Sequence, residues 1–266
     1  SFSDGGRFLD DASALAAAEL MLADGAVIID VGAESTRPNA PAIPAAEQIA
    51  RIGSIVERLV ERGALVSIDT TDPEVAAFAV GQGATLINCV DLRAAGPLAA
   101  VASRAGVMRA LMHSRGSMTT MAGFSRADER AYEDVDRDDA REWTAAKDVA
   151  VARGLPETDV ILDPGLGFHK SARHSLELCA RLEELVGLGH PVLVGSSRKS
   201  FLAVVTTAPG RDLPPPDGRL GGTIASCLVC AEKGAAILRV HDVAEVRQAL
   251  AFAEQTRLVE RGAKRA

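Results

Sequence analysis

The sequence predicts a single α/β domain, residues 1–266, folded as a (β/α)8 barrel of the TIM type. Short apolar runs alternate with longer alanine-rich helical segments along the whole chain, which is typical of parallel strands joined by right-handed helical crossovers. In addition, nearly every apolar run is followed at once by charged or amide side chains. A closed barrel collects these strand ends around one mouth, whereas an open sheet would spread them along a line.

Seven runs have the continuous apolar character of parallel strands that are buried on both faces. These runs are residues 27–31, 65–68, 86–90, 107–112, 160–162, 191–195 and 237–240. Segments of helical composition lie around them at residues 11–23, 45–61, 73–82, 137–152, 174–186, 223–233 and 244–259. Turn-forming residues predict surface loops at 114–133 and at the prolines 214–216.

The count of strands is one short of a closed barrel, which needs eight. The chain opens in a turn-rich stretch, residues 1–7, that leads directly into the first helical segment. A seven-stranded barrel would leave two unpaired edges, a poor arrangement for a soluble protein. We therefore expect the first strand of the barrel to be missing from this sequence.

Composition excludes several classes of protein. The formal net charge of −7 argues against a nucleic-acid partner, because such proteins present basic surfaces to phosphate. No apolar run approaches the roughly 20 residues needed to span a bilayer, and the N-terminus lacks a signal-peptide pattern. Four cysteines in 266 residues do not read as a disulfide framework, so we expect a cytoplasmic protein. The Cys227/Cys230 pair lies within a helical segment, where packing is a better interpretation than metal or redox use.

The strand ends carry two kinds of chemistry. Asp69, Asn88 and Asp163 offer carboxylates and an amide, which suit a flat heterocycle with hydrogen-bond donors along its edge. Arg239 and His241 suit a phosphate or pyrophosphate, to which charge-assisted hydrogen bonds are strongest. Other cations that follow strands are Arg37, Arg198 and Lys199. Lys199 would bridge the two regions.

Simpler roles stay open for some of these residues. Asp69 could cap the helix that follows it, Arg37 and Arg198 could be surface residues, and His113 could be a core histidine. The glycine-rich stretch 165–170 lacks the Gly-Lys-Ser/Thr ending of a P-loop. Its Phe168 would instead offer an apolar wall for an aromatic ligand, unless it is only a structural residue.

Five motifs, in order along the chain, resemble those of the dihydropteroate synthases. They are residues 1–6, 29–38, 163–168 with Lys170, 197–201 and 239–243. The resemblance covers essentially the whole chain. It implies a transferase of folate biosynthesis that joins 6-hydroxymethyl-7,8-dihydropterin pyrophosphate to p-aminobenzoate, giving 7,8-dihydropteroate and pyrophosphate.

The resemblance also implies a set of site residues. The catalytic residues would be Lys199, Asp69, Arg239 and His241. The pterin would be bound by Asp69, Asn88, Met112, Asp163, Lys199 and Arg239. The p-aminobenzoate would contact Thr36, Arg37, Pro38, Phe168, Lys199 and Ser200, and the pyrophosphate Arg37, Arg239 and His241. The resemblance further implies Mg²⁺ as cofactor, a homodimer and a sulfonamide target, although the metal-binding asparagine of the family lies upstream of Ser1.

Departures from the family pattern leave two alternatives open. Cys89 stands where the family usually has aspartate, which we interpret as the loss of a carboxylate near the pterin pocket. Ala33, Thr71 and Asp72 are further departures. The alternatives are a methyltetrahydrofolate-binding methyltransferase domain, which the motif at residues 197–200 opposes, and a non-catalytic pterin- or partner-binding paralogue, which Cys89 favours.

Overall fold

A computed structural model describes residues 11–35, 43–116, 121 and 123–263 of the chain. In these residues seven strands alternate with helices. The strands are β1 (Ile28–Val31), β2 (Leu65–Asp69), β3 (Leu86–Cys89), β4 (Met108–Met112), β5 (Val160–Asp163), β6 (Leu193–Val194) and β7 (Ile237–Leu238). The helices are α1 (Asp11–Ala23), α2 (Ala45–Glu61), α3 (Pro73–Gly81), α4 (Ala95–Ala105), α5 (Val135–Ala152), α6 (Ala172–Ala180), α7 (Leu182–Val186), α8 (Ser200–Thr206), α9 (Leu220–Glu232) and α10 (Val243–Ala263).

The strands form the wall of a barrel in chain order. Strands β1 to β5 pair in sequence, every pair parallel, and β6 pairs with β7 in the same sense. A parallel bridge between Leu162 and Val192 joins the two groups. No ladder links β7 to β1 within the described ranges, where instead the Arg239 guanidinium binds Asp30 on β1. The predicted TIM-barrel fold is confirmed, with all seven predicted strands in place.

Alternation along each strand divides the core into two layers. Outward-facing side chains such as Ile68, Ile87 and Leu162 pack against the helices in one large apolar cluster. A smaller cluster fills the barrel interior, from Leu86, Ala110, Ile161, Leu193 and Ile237. Because parallel strands run in one direction, the inward-facing residues at their carboxyl ends all reach the same mouth.

Two predictions for the connecting elements need correction, and two helices were not predicted. The predicted helix 174–186 is two helices, α6 and α7, separated at Arg181, whose guanidinium binds acidic side chains of α5 and α7. Helix α4 was not predicted, and its first turn contains Gly96 and Pro97, which usually disfavour a helix. Proline is nevertheless tolerated in a first helical turn, where its missing N–H has no partner to lose. Short helix α8 was also not predicted. The predicted surface loop 114–133 packs inward in part, since Tyr132 is buried.

Two smaller features follow the sequence. Cys227 and Cys230 are free thiols buried on one face of α9, as the packing interpretation predicts. The single tryptophan, Trp143 on α5, is fully buried, and its Nε1 donates to the Leu111 carbonyl at 3.0 Å. Among the described residues, no helix is both long enough and apolar enough to cross a membrane.

Candidate active site

Carboxylates and an amide meet where β1, β2 and β3 end. The register pairs Asp69 with Asn88, and Arg239, directly after β7, reaches across to this corner. Its Nε donates to Asp30 Oδ2 at 2.6 Å, and its Nη2 donates to Asp69 Oδ2 at 3.3 Å. Asn88 Nδ2 donates to the same Asp30 oxygen at 3.2 Å. The four side chains therefore form one hydrogen-bonded group.

The electrostatics of this corner are those of two carboxylates that share one cation. Burial and the neighbouring Asp30 charge raise the pKa of Asp69 to about 6, against the opposing effect of Arg239. The Asp30 carboxylate in turn raises the pKa of Arg239 above its ordinary value. Asp69 does not cap α3, because Asp72 does so by accepting from the backbone N–H groups of Glu74 and Val75. The Asp69 carboxylate therefore takes no part in helix capping and faces the mouth of the barrel.

The next side of the mouth is built by β4 and β5. Met112 and Asp163 are register partners at the ends of these strands. Asp163 Oδ1 accepts from the Gly165 N–H at 2.7 Å. Burial raises the pKa of Asp163, while the nearby Lys199 and Arg239 charges oppose the rise. Asp163 is thus a buried carboxylate that faces two cations.

Lys199 stands between the acidic corner and an apolar wall. Its Nζ donates to the Leu166 carbonyl at 2.7 Å and lies 4.7 Å from the centre of the Phe168 ring. Burial lowers the pKa of Lys199 to about 8, with Asp163 as the main opposing charge. Phe168 packs with other apolar side chains of the mouth, namely Val90, Met112, Met121 and Phe124. The Lys199 ammonium can therefore contact a polar heterocycle bound at the carboxylates and also an aromatic ligand bound against Phe168.

Ser200 and the segment after β4 close this wall. Ser200 Oγ donates to the Phe124 carbonyl at 3.2 Å and bonds Ser125 Oγ at 3.0 Å. The Phe124 ring meets Phe168 edge-on, with the ring centres 5.0 Å apart. Ser200 thus connects α8 to the segment that covers Phe168.

The last side of the mouth is built by the residues after β6 and β7. Ser197 Oγ and His241 Nδ1 lie 2.9 Å apart, and Ser197 Oγ also accepts from the His241 N–H at 3.2 Å. Arg198 has a left-handed backbone, with φ at 58°, and its guanidinium binds Asp242 and Asp217. Arg198 is therefore a structural tie between two loops of the mouth and not a free surface residue.

The structure brings together Asp69, Asn88, Met112, Asp163, Phe168, Lys199, Ser200 and Arg239. His241 lies beside Ser197, where β6 and β7 end. Thr36, Arg37 and Pro38 lie outside the described residues. Asp30 was missed, although an ionisable residue inside an apolar strand was a signal that could have identified it. Arg239 was assigned to both pterin and pyrophosphate, and its guanidinium is engaged by carboxylates.

The interpretation of Cys89 as a pocket residue was wrong. Cys89 follows the inward-facing Asn88, so alternation turns its side chain outward, into the apolar layer between strands and helices. Its thiol is buried and bonds the backbone of Asp91. An aspartate at this position would face Arg109 and not the pterin side of the mouth.

Metal ligands are sparse in this site. In the part of the chain that the structure describes, no group of three His, Cys, Asp or Glu side chains is arranged to hold a metal ion. Asp30 and Asp69 both accept from Arg239 instead. The described residues therefore do not form a complete metal site by themselves.

Comparison with known proteins agrees with this geometry. Residues 1–241 match the family described as pterin binding enzyme. The chain is 40% identical to dihydropteroate synthase of Mycobacterium leprae over 91% of this chain and 84% of that protein. Dihydropteroate synthase of Bacillus subtilis is 39% identical over 92% and 81%, respectively.

Solved structures give the same result. Yersinia pestis dihydropteroate synthase in a sulfonamide complex superposes with a TM-score of 0.87 at 35% identity, covering 97% of this chain and 90% of that one. The Xanthomonas albilineans enzyme with 4-aminobenzoic acid gives a TM-score of 0.83 at 35% identity, covering 96% and 88%. The chain belongs to the pterin-binding enzyme family, and within it to the dihydropteroate synthases.

Proposed function

We propose that this chain condenses 6-hydroxymethyl-7,8-dihydropterin pyrophosphate with p-aminobenzoate, and that the mouth residues act as follows. Asp69, Asn88 and Asp163 hold the donor edge of the pterin, with Met112 against the ring. The observation that carries the proposal is the position of Lys199, between the buried Asp163 carboxylate and the Phe168 ring. One ammonium can thereby contact both substrates.

The proposed reaction requires negative charge near the pterin carbon that loses pyrophosphate and positive charge near the departing pyrophosphate. Departure of pyrophosphate leaves cationic character on the pterin, which Asp69 and Asp163 stabilise as carboxylates. Asp30 keeps Arg239 beside them and so fixes the geometry of this corner. The aromatic amine of p-aminobenzoate is a neutral nucleophile that needs mainly positioning. No covalent enzyme intermediate is required.

The other residues of the mouth bind the two anionic groups, the pyrophosphate and the carboxylate of p-aminobenzoate. His241, oriented by Ser197, and Arg239 are assigned to the pyrophosphate. Phe168 and Ser200, together with Thr36, Arg37 and Pro38 from the resemblance, form the p-aminobenzoate side. With its pKa at about 8, Lys199 is mostly protonated at neutral pH and contributes a positive charge to both sides.

Mg²⁺, the assembly and the compartment remain proposals by resemblance. Mg²⁺ usually keeps several waters and binds through substrate phosphates with only one or two carboxylates, so a pyrophosphate could bring most of its ligands. The described residues do not complete a site by themselves. We further propose one domain, a homodimer, a cytoplasmic location and sensitivity to sulfonamides, as expected for competitors of p-aminobenzoate.

Neither alternative gains support from the structure. The hypothesis of a non-catalytic paralogue depends on Cys89, and the side chain of this residue lies outside the mouth. The hypothesis of a methyltransferase domain does not explain the contacts of Lys199 with Leu166 and Phe168.

The proposal is tested by incubating the protein with the pterin pyrophosphate, labelled p-aminobenzoate and Mg²⁺, and by measuring dihydropteroate. We expect product from the wild type and a loss of about 10²-fold or more in kcat/KM for Lys199→Ala, because a preorganised charge is removed from both substrate sites. Lys147→Ala is the control, since Lys147 pairs with Glu157 on the surface. Absence of product from the wild type, with pterin binding retained, would refute the proposed function.

A further inference from the structure

A buried lysine lies behind the mouth, outside the groups assigned above. Lys170 is fully buried, and an ammonium there must satisfy three N–H donors. Its Nζ bonds His113 Nδ1 at 2.8 Å and the His113 carbonyl at 3.3 Å, and Asp139 Oδ2 lies 3.3 Å away as the ion-pair partner. Two hydrogen bonds and one ion pair therefore hold the Lys170 side chain.

Both ring nitrogens of His113 are engaged. Nε2 lies 2.9 Å from Glu142 Oε2 and donates to it, since a carboxylate only accepts. Nδ1 lies 2.8 Å from Lys170 Nζ and 3.1 Å from Asp139 Oδ2. Glu142 is held in turn by Arg115 from the segment after β4. His113 is thus not an isolated core histidine but the centre of a buried polar network.

The same network holds the loop of residues 163–170 at three points, all on His113. The His113 N–H donates to the Asp163 carbonyl at 2.8 Å, at the start of the loop. Gly165 packs so closely on the His113 carbonyl that an added Cβ would lie 2.1 Å from its oxygen. Lys170 binds the same carbonyl at the end of the loop.

We propose that Lys170 and His113 are positioning residues, which hold this loop so that Leu166 and Phe168 keep the Lys199 ammonium at the p-aminobenzoate side. The inference rests on the proposed function of Lys199. Between the fixed ends of the loop lie the Leu166 carbonyl, which accepts from Lys199, and the Phe168 ring below that ammonium. Loss of the Lys170 ammonium removes the anchor on the His113 carbonyl and leaves the backbone bonds of Gly167 to Ser125 and Ser175. Asp163 stays bonded to His113 at the other end of the loop.

The test is Lys170→Met, which keeps the length and apolar stem of the side chain and removes the ammonium. We expect the KM for p-aminobenzoate to rise about tenfold or more, because a ligand wall loses its fixed position. The affinity for the pterin pyrophosphate should stay within about threefold, since Asp163 remains anchored. Amide hydrogen exchange in residues 164–169 should become faster.

The controls separate positioning from general destabilisation. Lys233→Met removes a surface lysine paired with Glu183 and should change neither KM nor loop exchange. The double change Lys170→Met with Asp139→Asn removes both buried charges, and it should keep the elevated KM even if the single variant folds poorly.

Three results would overturn the inference. They are an unchanged KM in a folded variant, unchanged exchange of the loop, or an equal loss of affinity for both substrates. A wild type that forms no dihydropteroate would instead refute the proposed function, and the exchange measurement would still decide whether Lys170 holds the loop.

Discussion

Asn88 and Cys89 are neighbours in sequence, yet only one of them belongs to the mouth. Asn88 donates to Asp30 inside the barrel, whereas Cys89 is packed among the outward-facing apolar side chains. On that outer side lies Arg109, fully buried, whose Nε and Nη1 have no hydrogen-bond partner among the described residues. The departure at position 89 therefore concerns the stability of a buried cation and not the binding of substrate.

Cys89→Asp should consequently stabilise the protein without changing its activity. A carboxylate at this position would pair with Arg109, and we expect the free energy of unfolding to rise by about 1–3 kcal/mol in urea denaturation. The kcat/KM should change less than about twofold, because the side chain does not reach the mouth. Cys227→Asp, at a buried thiol beside Ser196, is the control and should be destabilising. A large gain in activity would contradict this placement of residue 89.

Polar residues at or just beyond the carboxyl ends of the strands could be predicted from the sequence. Asp69, Asn88, Asp163 and Lys199 were identified in this way, and the structure places them at one mouth. Asp30 was not identified, although it occupies the same penultimate position in β1 as Asn88 does in β3, and an ionisable side chain within an apolar run was the available signal. The pairing of Lys170 with His113 joins residues 57 apart, a long-range contact that local patterns do not reveal.

The connection between β5 and α6 is the element with the tightest geometry. Gly165 has φ at 61° and lies against the His113 carbonyl, so its position demands both a left-handed backbone and the absence of a side chain. Strands could be predicted to within about two residues because apolar runs define them, whereas the break at Arg181 depends on ion pairs with other helices.

Gly165→Ala should lower both stability and turnover. The new methyl group must displace the His113 carbonyl, and we expect a loss of more than about 2 kcal/mol in unfolding free energy and of about tenfold in kcat. Gly106→Ala is the matched control, because Gly106 has φ at 67° and nothing within 4 Å of an added Cβ. That control should cost only about 1 kcal/mol of backbone strain and leave kcat unchanged. Equal effects of the two substitutions would show that the His113 contact is unimportant.

At the scale of the whole molecule, stability should depend on pH through Asp136. This carboxylate, in the first turn of α5, is buried beside Arg181, and burial raises its pKa to about 7. The folded state therefore keeps a proton that the unfolded state releases above its ordinary pKa of 3.8. The stability that this proton contributes is complete below pH 3.8 and is lost as the pH rises towards 7.

Asp136→Asn should remove this dependence. We expect the variant to be stabilised relative to wild type by on the order of 2 kcal/mol more at pH 8 than at pH 4, measured by urea denaturation. Asp134→Asn is the control, because Asp134 binds the same Arg181 and its pKa is lowered. Its effect should be nearly the same at pH 5 and pH 8. A wild-type stability that rises between pH 5 and pH 8 in parallel with that of Asp136→Asn would contradict the prediction.

The lone indole of this protein gives those measurements a built-in optical signal. Trp143 lies behind the barrel wall, where its Nε1 donates to the Leu111 carbonyl and its ring meets the His190 ring edge-on, with the ring centres 4.9 Å apart. All tryptophan fluorescence therefore originates from one dry site at the boundary of α5 and β4. Its emission should change when that helix separates from the barrel wall. Rearrangements of the loops at the mouth should leave the emission unchanged.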